Sequence, residues 1–118
     1  PEQLGGLTTP RPPAEIKNGD GTSVLCDSAK VFFNNEVEVT DAFLKGARET
    51  LKIAEGLGIN QAIMKARSPS CGVGKIYDGT FSGSLKEGDG VTTALLKSKG
   101  IAVYTEEDFS EIIQSIGV

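Results

Sequence analysis

The sequence predicts an α/β fold, a small three-layer, parallel-sheet domain of the Rossmann-like kind. Three observations predict it. The 118 residues fit one domain, 1–118. Two short apolar runs, 59–65 and 101–104, alternate with stretches of helical period. The order helix, strand, loop, helix, strand, helix then makes the strands parallel, because a right-handed crossover returns the second run beside the first.

Residues 1–22 hold four of the five prolines, together with Gly5-Gly6 and Gly19-Asp20-Gly21. They read as an extended, irregular arm, and 23–118 as the α/β core. Leu4, Leu7 and Ile16 predict that the arm packs on the domain. Strand-like pieces follow at 30–33 and 36–39, with Asn34-Asn35 as the hairpin turn between them. Val37 and Val39 alternate there with Glu36 and Glu38, as in a half-exposed strand.

Thr40 reads as a helix N-cap, with Asp41 in the first turn where negative charge is favoured. Phe43, Ala47, Leu51, Ala54 and Leu57 recur at helical spacing, and Gly56 and Gly58 stop the helix. Ala62, Ile63 and Met64 make 59–65 a short buried strand. The stretch 66–90 is rich in Gly and Ser and almost without period. A helix is predicted over 91–99 and ends at Gly100, and a second apolar strand covers 101–104. Thr105 reads as the cap of a final helix with Phe109, Ile112, Ile113 and Ile116 on one face. Two strands and a hairpin make a thin sheet. With Pro1 standing where an initiator Met is expected, the chain reads as lacking something at its N-terminus.

Composition narrows the chemistry. There is no His, which removes His-dependent triads and metal sites within this chain. Two cysteines, Cys26 and Cys71, are too few for a disulfide-built scaffold, and a reducing cytoplasm is the expected location. Twelve basic residues against 16 acidic ones leave no basic excess for wrapping nucleic acid. No apolar run approaches the length of a membrane-spanning helix.

The stretch 66–90 is the place to look for a site, since compact domains seldom keep so long a connection without a use for it. It opens with Arg67-Ser68-Pro69-Ser70-Cys71-Gly72-Val73-Gly74-Lys75, leaving the carboxyl end of a predicted parallel strand. Ligands bind at that edge in open α/β sheets. Lys65, Arg67 and Lys75 surround Cys71 with positive charge, which favours a thiolate. That thiolate would be a nucleophile or a soft-metal ligand; the plainer alternative is a small buried Cys between turn-forming glycines. Gly72-Val73-Gly74-Lys75 fails as a nucleotide-phosphate loop, because the glycine spacing is wrong and Ile76 stands where Ser or Thr is needed. Asp89-Gly90 leads into a helix whose amides would either face an anion or simply be capped. Thr92 and Thr93 read as helix surface. Arg11, in the rigid Pro10-Arg11-Pro12-Pro13 frame, is a candidate anion contact. Cys26 reads as structural.

Taken together, Pro1-Glu2-Gln3-Leu4-Gly5-Gly6-Leu7, Pro10-Arg11-Pro12-Pro13-Ala14-Glu15, Arg67-Ser68-Pro69-Ser70-Cys71-Gly72, Gly74-Lys75-Ile76-Tyr77-Asp78-Gly79-Thr80-Phe81 and Glu87-Gly88-Asp89-Gly90-Val91-Thr92 resemble one family over essentially the whole chain. It is the bacterial and archaeal family long called DUF523, typified by thiouracil desulfidase. The resemblance implies a [4Fe–4S] cluster held by three cysteines with one iron open to a thiocarbonyl pyrimidine. Sulfur would be lost hydrolytically, without redox change, from a substrate such as 2-thiouracil. Soft iron prefers sulfur to oxygen and, as a Lewis acid, opens the thiocarbonyl carbon to water.

By motif, Cys71 matches a cluster ligand and Glu2 the Glu of the family's Cys-Pro-Glu segment, which manages protons. Ser70 matches the Ser before the cluster Cys, orienting substrate or proton, and Ser68 is the expected substrate contact. The Cys before Pro1 and a further upstream ligand are absent from these residues, and the resemblance implies that the segment carrying them also supplies the sheet's N-terminal strand and helix, which the chain lacks. One thiolate cannot hold a cubane, so this chain alone is expected to be inactive and the full-length product to be the enzyme. Thiolated tRNA, reached through a partner domain, is the larger substrate the resemblance admits, although an acidic chain is poorly suited to a phosphate backbone. The competing reading is a non-catalytic ligand-binding or sulfur-carrying module that uses Cys71 as a thiol.

Overall fold

The computed structural model describes residues 13–107. The Glu2, Leu4, Leu7 and Arg11 expectations, and the helix expected on Phe109, Ile112, Ile113 and Ile116, lie outside them. Six strands and three helices follow in the order β1 (Ala14–Lys17), α1 (Gly21–Leu25), β2 (Lys30–Phe33), α2 (Thr40–Gly56), β3 (Gln61–Met64), β4 (Lys75–Tyr77), β5 (Leu85–Glu87), α3 (Val91–Ser98) and β6 (Ala102–Thr105) among the described residues.

The two apolar runs pair in parallel as expected, β3 beside β6 with Ala62 opposite Val103 and Met64 opposite Thr105. The other described strands form two antiparallel pairs, β1 with β2 and β4 with β5, in place of one continuous parallel sheet. Each mismatch with the sequence reading has a local cause. β1 lies inside the stretch read as irregular, because only four residues separate the Pro12-Pro13 pair from Asn18-Gly19; within them Ile16 is fully buried. That strand pairs with β2 along one edge. The 36–39 piece returns along the other edge as the hairpin reading expects, through the antiparallel bridge of Phe32 with Glu38 and the Phe33 and Val39 amides donating to the Val37 and Val31 carbonyls at 2.9 Å each. The turn between them is tightened by the Phe33 carbonyl accepting from the Glu36 amide at 3.0 Å. Helix α1 has no visible period in five residues; it is announced instead by Asp20, whose carboxylate accepts from the Ser23 amide at 3.0 Å as an N-cap.

Helix α2 follows its spacing closely. Phe43, Ala47, Leu51 and Ala54 are buried along one face. Leu57 falls past the last turn as the C-cap and is 72% exposed. Thr40 lies in the first turn rather than at the cap, and its hydroxyl accepts from the Val31 amide at 2.9 Å, tying α2 to β2. The face of α2 joins two apolar clusters. Ile16, Val24, Val31, Phe43, Ile76 and Val91 meet in one, and Leu51, Ala54, Leu96, Ile101 and Val103 in the other. β3 is not the buried strand expected, for Ile63 is 51% exposed. Its burial alternates, with Ala62 and Met64 packed against the second cluster and Gln61 and Ile63 on the open face. Helix α3 ends at Gly100, which takes φ +82° as a stop requires. No helix among the described residues is long and apolar enough to cross a membrane.

Candidate functional site

The loop after β3 is short of regular structure but not of hydrogen bonds. It leaves the parallel pair at Ala66, whose amide donates to the Glu106 carboxylate at 3.0 Å. Arg67 then takes φ +68°, a left-handed conformation that costs a residue with a Cβ and recurs where a chain is held for a purpose. The Arg67 carbonyl accepts from the Tyr77 amide at 3.2 Å, and Arg67 bridges Ile76 of β4. So β4 and β5, in the stretch read as aperiodic, clamp the loop from outside; three-residue strands are too short to print a pattern. Within the loop, Ser68 does two things. Its hydroxyl accepts from the Cys71 amide at 2.7 Å, and its carbonyl accepts from the Gly72 amide at 2.9 Å. The 68–72 segment is thereby closed into a single turn.

This turn sits on the N-terminus of α3. The first helical amides lack partners within their own helix, and here the loop supplies them. Val91 donates to the Pro69 carbonyl at 2.7 Å, and Thr92 and Thr93 donate to the Ser70 carbonyl at 2.9 and 3.2 Å. Gly90 donates to the Gly72 carbonyl at 2.9 Å. These amides are therefore spent on the loop, and the capping reading holds over the anion reading. The side chains repeat the pattern. The Thr93 hydroxyl donates to the Cys71 carbonyl at 2.9 Å, and the Ser70 and Thr92 hydroxyls lie 2.8 Å apart. Thr92 and Thr93 are fully buried, not surface as the sequence suggested.

Close approach of two backbones makes this possible. A Cβ on Gly90 would collide with the Ser70 carbonyl group and the Cys71 amide nitrogen. On the other side of Gly90, Gly21 at the start of α1 donates to the Asp89 carbonyl at 2.6 Å. Asp89 also steadies the far end of the loop: its carboxylate accepts from the Gly74 amide at 2.8 Å and pairs with Lys97 at 3.1 Å.

Beside the loop, at the carboxyl ends of β3 and β6, lies a cavity of about 190 Å³ lined by Arg67, Val73, Lys75, Leu85, Thr105 and Glu107. Arg67 and Glu107 pair across it at 2.7 Å. Its hydrogen bond to Glu107 raises the Arg67 pKa further above its ordinary range. The wall thus carries two cations and one acid beside two aliphatic side chains.

Of the residues singled out from the sequence, Ser68, Ser70 and Cys71 meet in one turn. Ser68 is half-buried, Ser70 is 1% exposed and Cys71 is 9% exposed. Glu2 and Arg11 lie outside the described residues. Cys26 is exposed at the C-cap of α1. The residues that sequence reasoning misplaced are Thr92 and Thr93, read as helix surface; the signal available was two hydroxyls inside the apolar run that follows Asp89-Gly90.

A cysteine-held cubane needs several thiolates in one place. Among the described residues no group of three His, Cys, Asp or Glu side chains could hold a metal ion, and the chain has two cysteines. The residues present do not fit a complete cluster site; the turn offers one thiolate, Cys71.

The comparisons with known proteins agree with one another. The model of a family described as 2-thiouracil desulfurase matches residues 1–108. The uncharacterized protein YbbK of Bacillus subtilis (strain 168) is 46% identical over 113 residues, 96% of this chain and 75% of that protein. The solved structure of the [4Fe-4S]-dependent thiouracil desulfidase TudS (DUF523Vcz) superposes with a TM-score of 0.82 at 40% identity, over 98% of this chain and 70% of that one.

Proposed function

The chain belongs to the 2-thiouracil desulfurase family, and from that premise we propose that its gene product removes sulfur from thiocarbonyl pyrimidines by hydrolysis. The reaction is 2-thiouracil plus water giving uracil plus hydrogen sulfide, with no change of redox state. The observation that carries the reading is the turn at 68–72: a Cys preceded by two Ser, held by the N-terminus of α3 at the carboxyl end of a parallel strand pair. Ligand sites favour that position in α/β folds.

In this reading Cys71 is one thiolate ligand of a [4Fe–4S] cluster. The chain has two cysteines, so a cubane on three would take at least one from outside these 118 residues. Glu2 manages protons as water replaces sulfur at the ring carbon, Ser70 orients the reacting groups, and Ser68 contacts the substrate. Thiolated tRNA would need a partner domain to supply the cations that an acidic chain lacks. The reading implies a reducing cytoplasm. A thiol sensor or sulfur carrier on Cys71 is less well supported, because it needs an open sulfur and Cys71 is 9% exposed.

The test is an anaerobic iron and acid-labile sulfide assay on the gene's full-length product after reconstitution, followed by 2-thiouracil turnover. About four of each per chain, with turnover lost in Glu2→Ala and Ser70→Ala but the cluster kept, supports the reading. Cys71→Ser should lose the cluster itself. A product with neither iron nor sulfide overturns the reading.

A further inference from the structure

The two threonines at the start of α3 are costly as simple core. A buried hydroxyl loses its water and must find a partner, and β-branched Thr is a weaker helix former than Ala or Leu. Val would fill the same volume without that cost. A helical Thr commonly returns its hydroxyl to a carbonyl one turn back. Here Thr93 instead reaches out of the helix to the Cys71 carbonyl at 2.9 Å, and Thr92 meets the Ser70 hydroxyl at 2.8 Å. Both side chains are fully buried. Their backbone amides already hold the Ser70 carbonyl, so the hydroxyls are not needed to satisfy the helix end. What they add is directional control over the two residues of the turn that carry its chemistry.

We propose that Thr92 and Thr93 are positioning residues for desulfuration: Thr92 fixes the direction of the Ser70 hydroxyl, and Thr93 fixes the backbone of Cys71. The inference rests on the desulfidase reading of Ser70 and Cys71. Either hydroxyl can donate in the Ser70–Thr92 bond, and in both arrangements Ser70 Oγ is held against Thr92 in one orientation. When Thr93 donates to the Cys71 carbonyl, the peptide after Cys71 is held, and with it the Cα–Cβ bond that carries the sulfur.

Two readouts test it in the gene's full-length product. The first needs no cluster: alkylation of Cys71 by N-ethylmaleimide in the apoprotein, with exposed Cys26 as the internal reference. Thr93→Val should speed Cys71 alkylation about fivefold to tenfold, the value of one lost hydrogen bond, and leave Cys26 unchanged. Thr93→Ser, which keeps the hydroxyl, should stay at the wild-type rate. Should Thr93→Val fail to fold, Thr93→Ala against Thr93→Ser makes the same comparison. Equal rates in the hydroxyl-bearing and hydroxyl-free variants overturn the Thr93 role.

The second readout is steady-state turnover of 2-thiouracil by reconstituted protein. Thr92→Val should lower kcat about tenfold with KM changed less than about twofold, the signature of a contact that matters at the transition state, and Thr92→Ser should restore it. A Thr92→Ser as impaired as Thr92→Val, or a Thr92→Val with wild-type kcat, overturns the Thr92 role. Wild-type protein without iron or turnover overturns the desulfidase reading itself, a result distinct from either.

Discussion

The Gly79 amide donates to Glu15 Oε1 at 2.9 Å across 64 positions of sequence. The same oxygen accepts from the Phe81 amide at 3.1 Å. One carboxylate on β1 thus holds the turn that joins β4 to β5, and β4 in turn clamps the Cys71 loop through Arg67. Glu15 is 7% exposed, and its carboxylate is buried because these two amides take the place of water. Gly79, at φ +94°, leaves room for the β1 backbone that a Cβ would strike.

Removing that carboxylate strands two amides. Glu15→Ala should cost about 2–3 kcal/mol of stability, the range for hydrogen bonds to a charged acceptor with buried partners left behind. Glu15→Gln keeps an acceptor oxygen and should cost about 1 kcal/mol. Urea denaturation of the two variants beside wild type checks this. Equal losses would mean that the charge, and not the acceptor, carries the contact.

Gly90→Ala tests the close approach between α3 and the turn. The added methyl meets the Ser70 carbonyl group and the Cys71 amide nitrogen, which are backbone and cannot turn aside. Overpacking of this kind costs about 1–3 kcal/mol or more. The strain should appear where it is made. Hydrogen exchange at the Gly90, Val91 and Thr92 amides, all bonded to the turn, should accelerate more than exchange within α2. A uniform loss of protection would instead point to global destabilisation.

How far the sequence could be read divides along length. Helix α2 was legible because 17 residues carry Phe43, Ala47, Leu51 and Ala54 through several turns. The parallel pairing of β3 with β6 was legible from chain order, since a helix-bearing crossover leaves little choice. Strands β4 and β5, of three residues, were not, because so few positions cannot establish an alternation, and four-residue β1 was hidden between the Pro12-Pro13 pair and Asn18-Gly19. At the site, Ser68, Ser70 and Cys71 were found because they are neighbours in sequence. Thr92 and Thr93 were not, because 22 positions separate each from its partner and only the fold closes that gap. The exposure of Ile63 was also illegible: an apolar strand residue reads the same whether or not anything covers it.

Asp78 sits outside this framework and titrates for local reasons. The Thr80 hydroxyl and amide donate to its Oδ1 at 2.6 and 3.0 Å, and the hydroxyl contact is the largest cause that holds the Asp78 pKa below its ordinary value. A depressed acid pKa stabilises the fold above the unfolded-state pKa, and that stabilisation is lost as pH falls through the folded one. The side chain lies at the surface, so the effect on stability is small. The expected result is therefore best read from the group itself. In carboxyl-resolved NMR titration Asp78 should titrate below free aspartate, and Thr80→Ala should move it upward. An unchanged midpoint in Thr80→Ala would assign the shift elsewhere, Lys86 being the remaining charged neighbour.

Arg67 sets two small effects against each other. Its pair with Glu107 is short, at 2.7 Å, but the side chains are 43% and 58% exposed, and exposed pairs contribute little net stability. Its backbone, at φ +68°, opposes the pair, since a Cβ is disfavoured there and Gly is not. Arg67→Ala loses the pair and keeps the disfavoured conformation, whereas Arg67→Gly loses the pair and relieves it. Arg67→Gly should therefore unfold at a higher urea concentration than Arg67→Ala, and the order should persist in high salt, where the ion pair is screened in wild type. If the two variants unfold together, the left-handed conformation costs nothing at this position. The hydrogen bonds that hold the turn after β3 would then have no backbone strain to oppose.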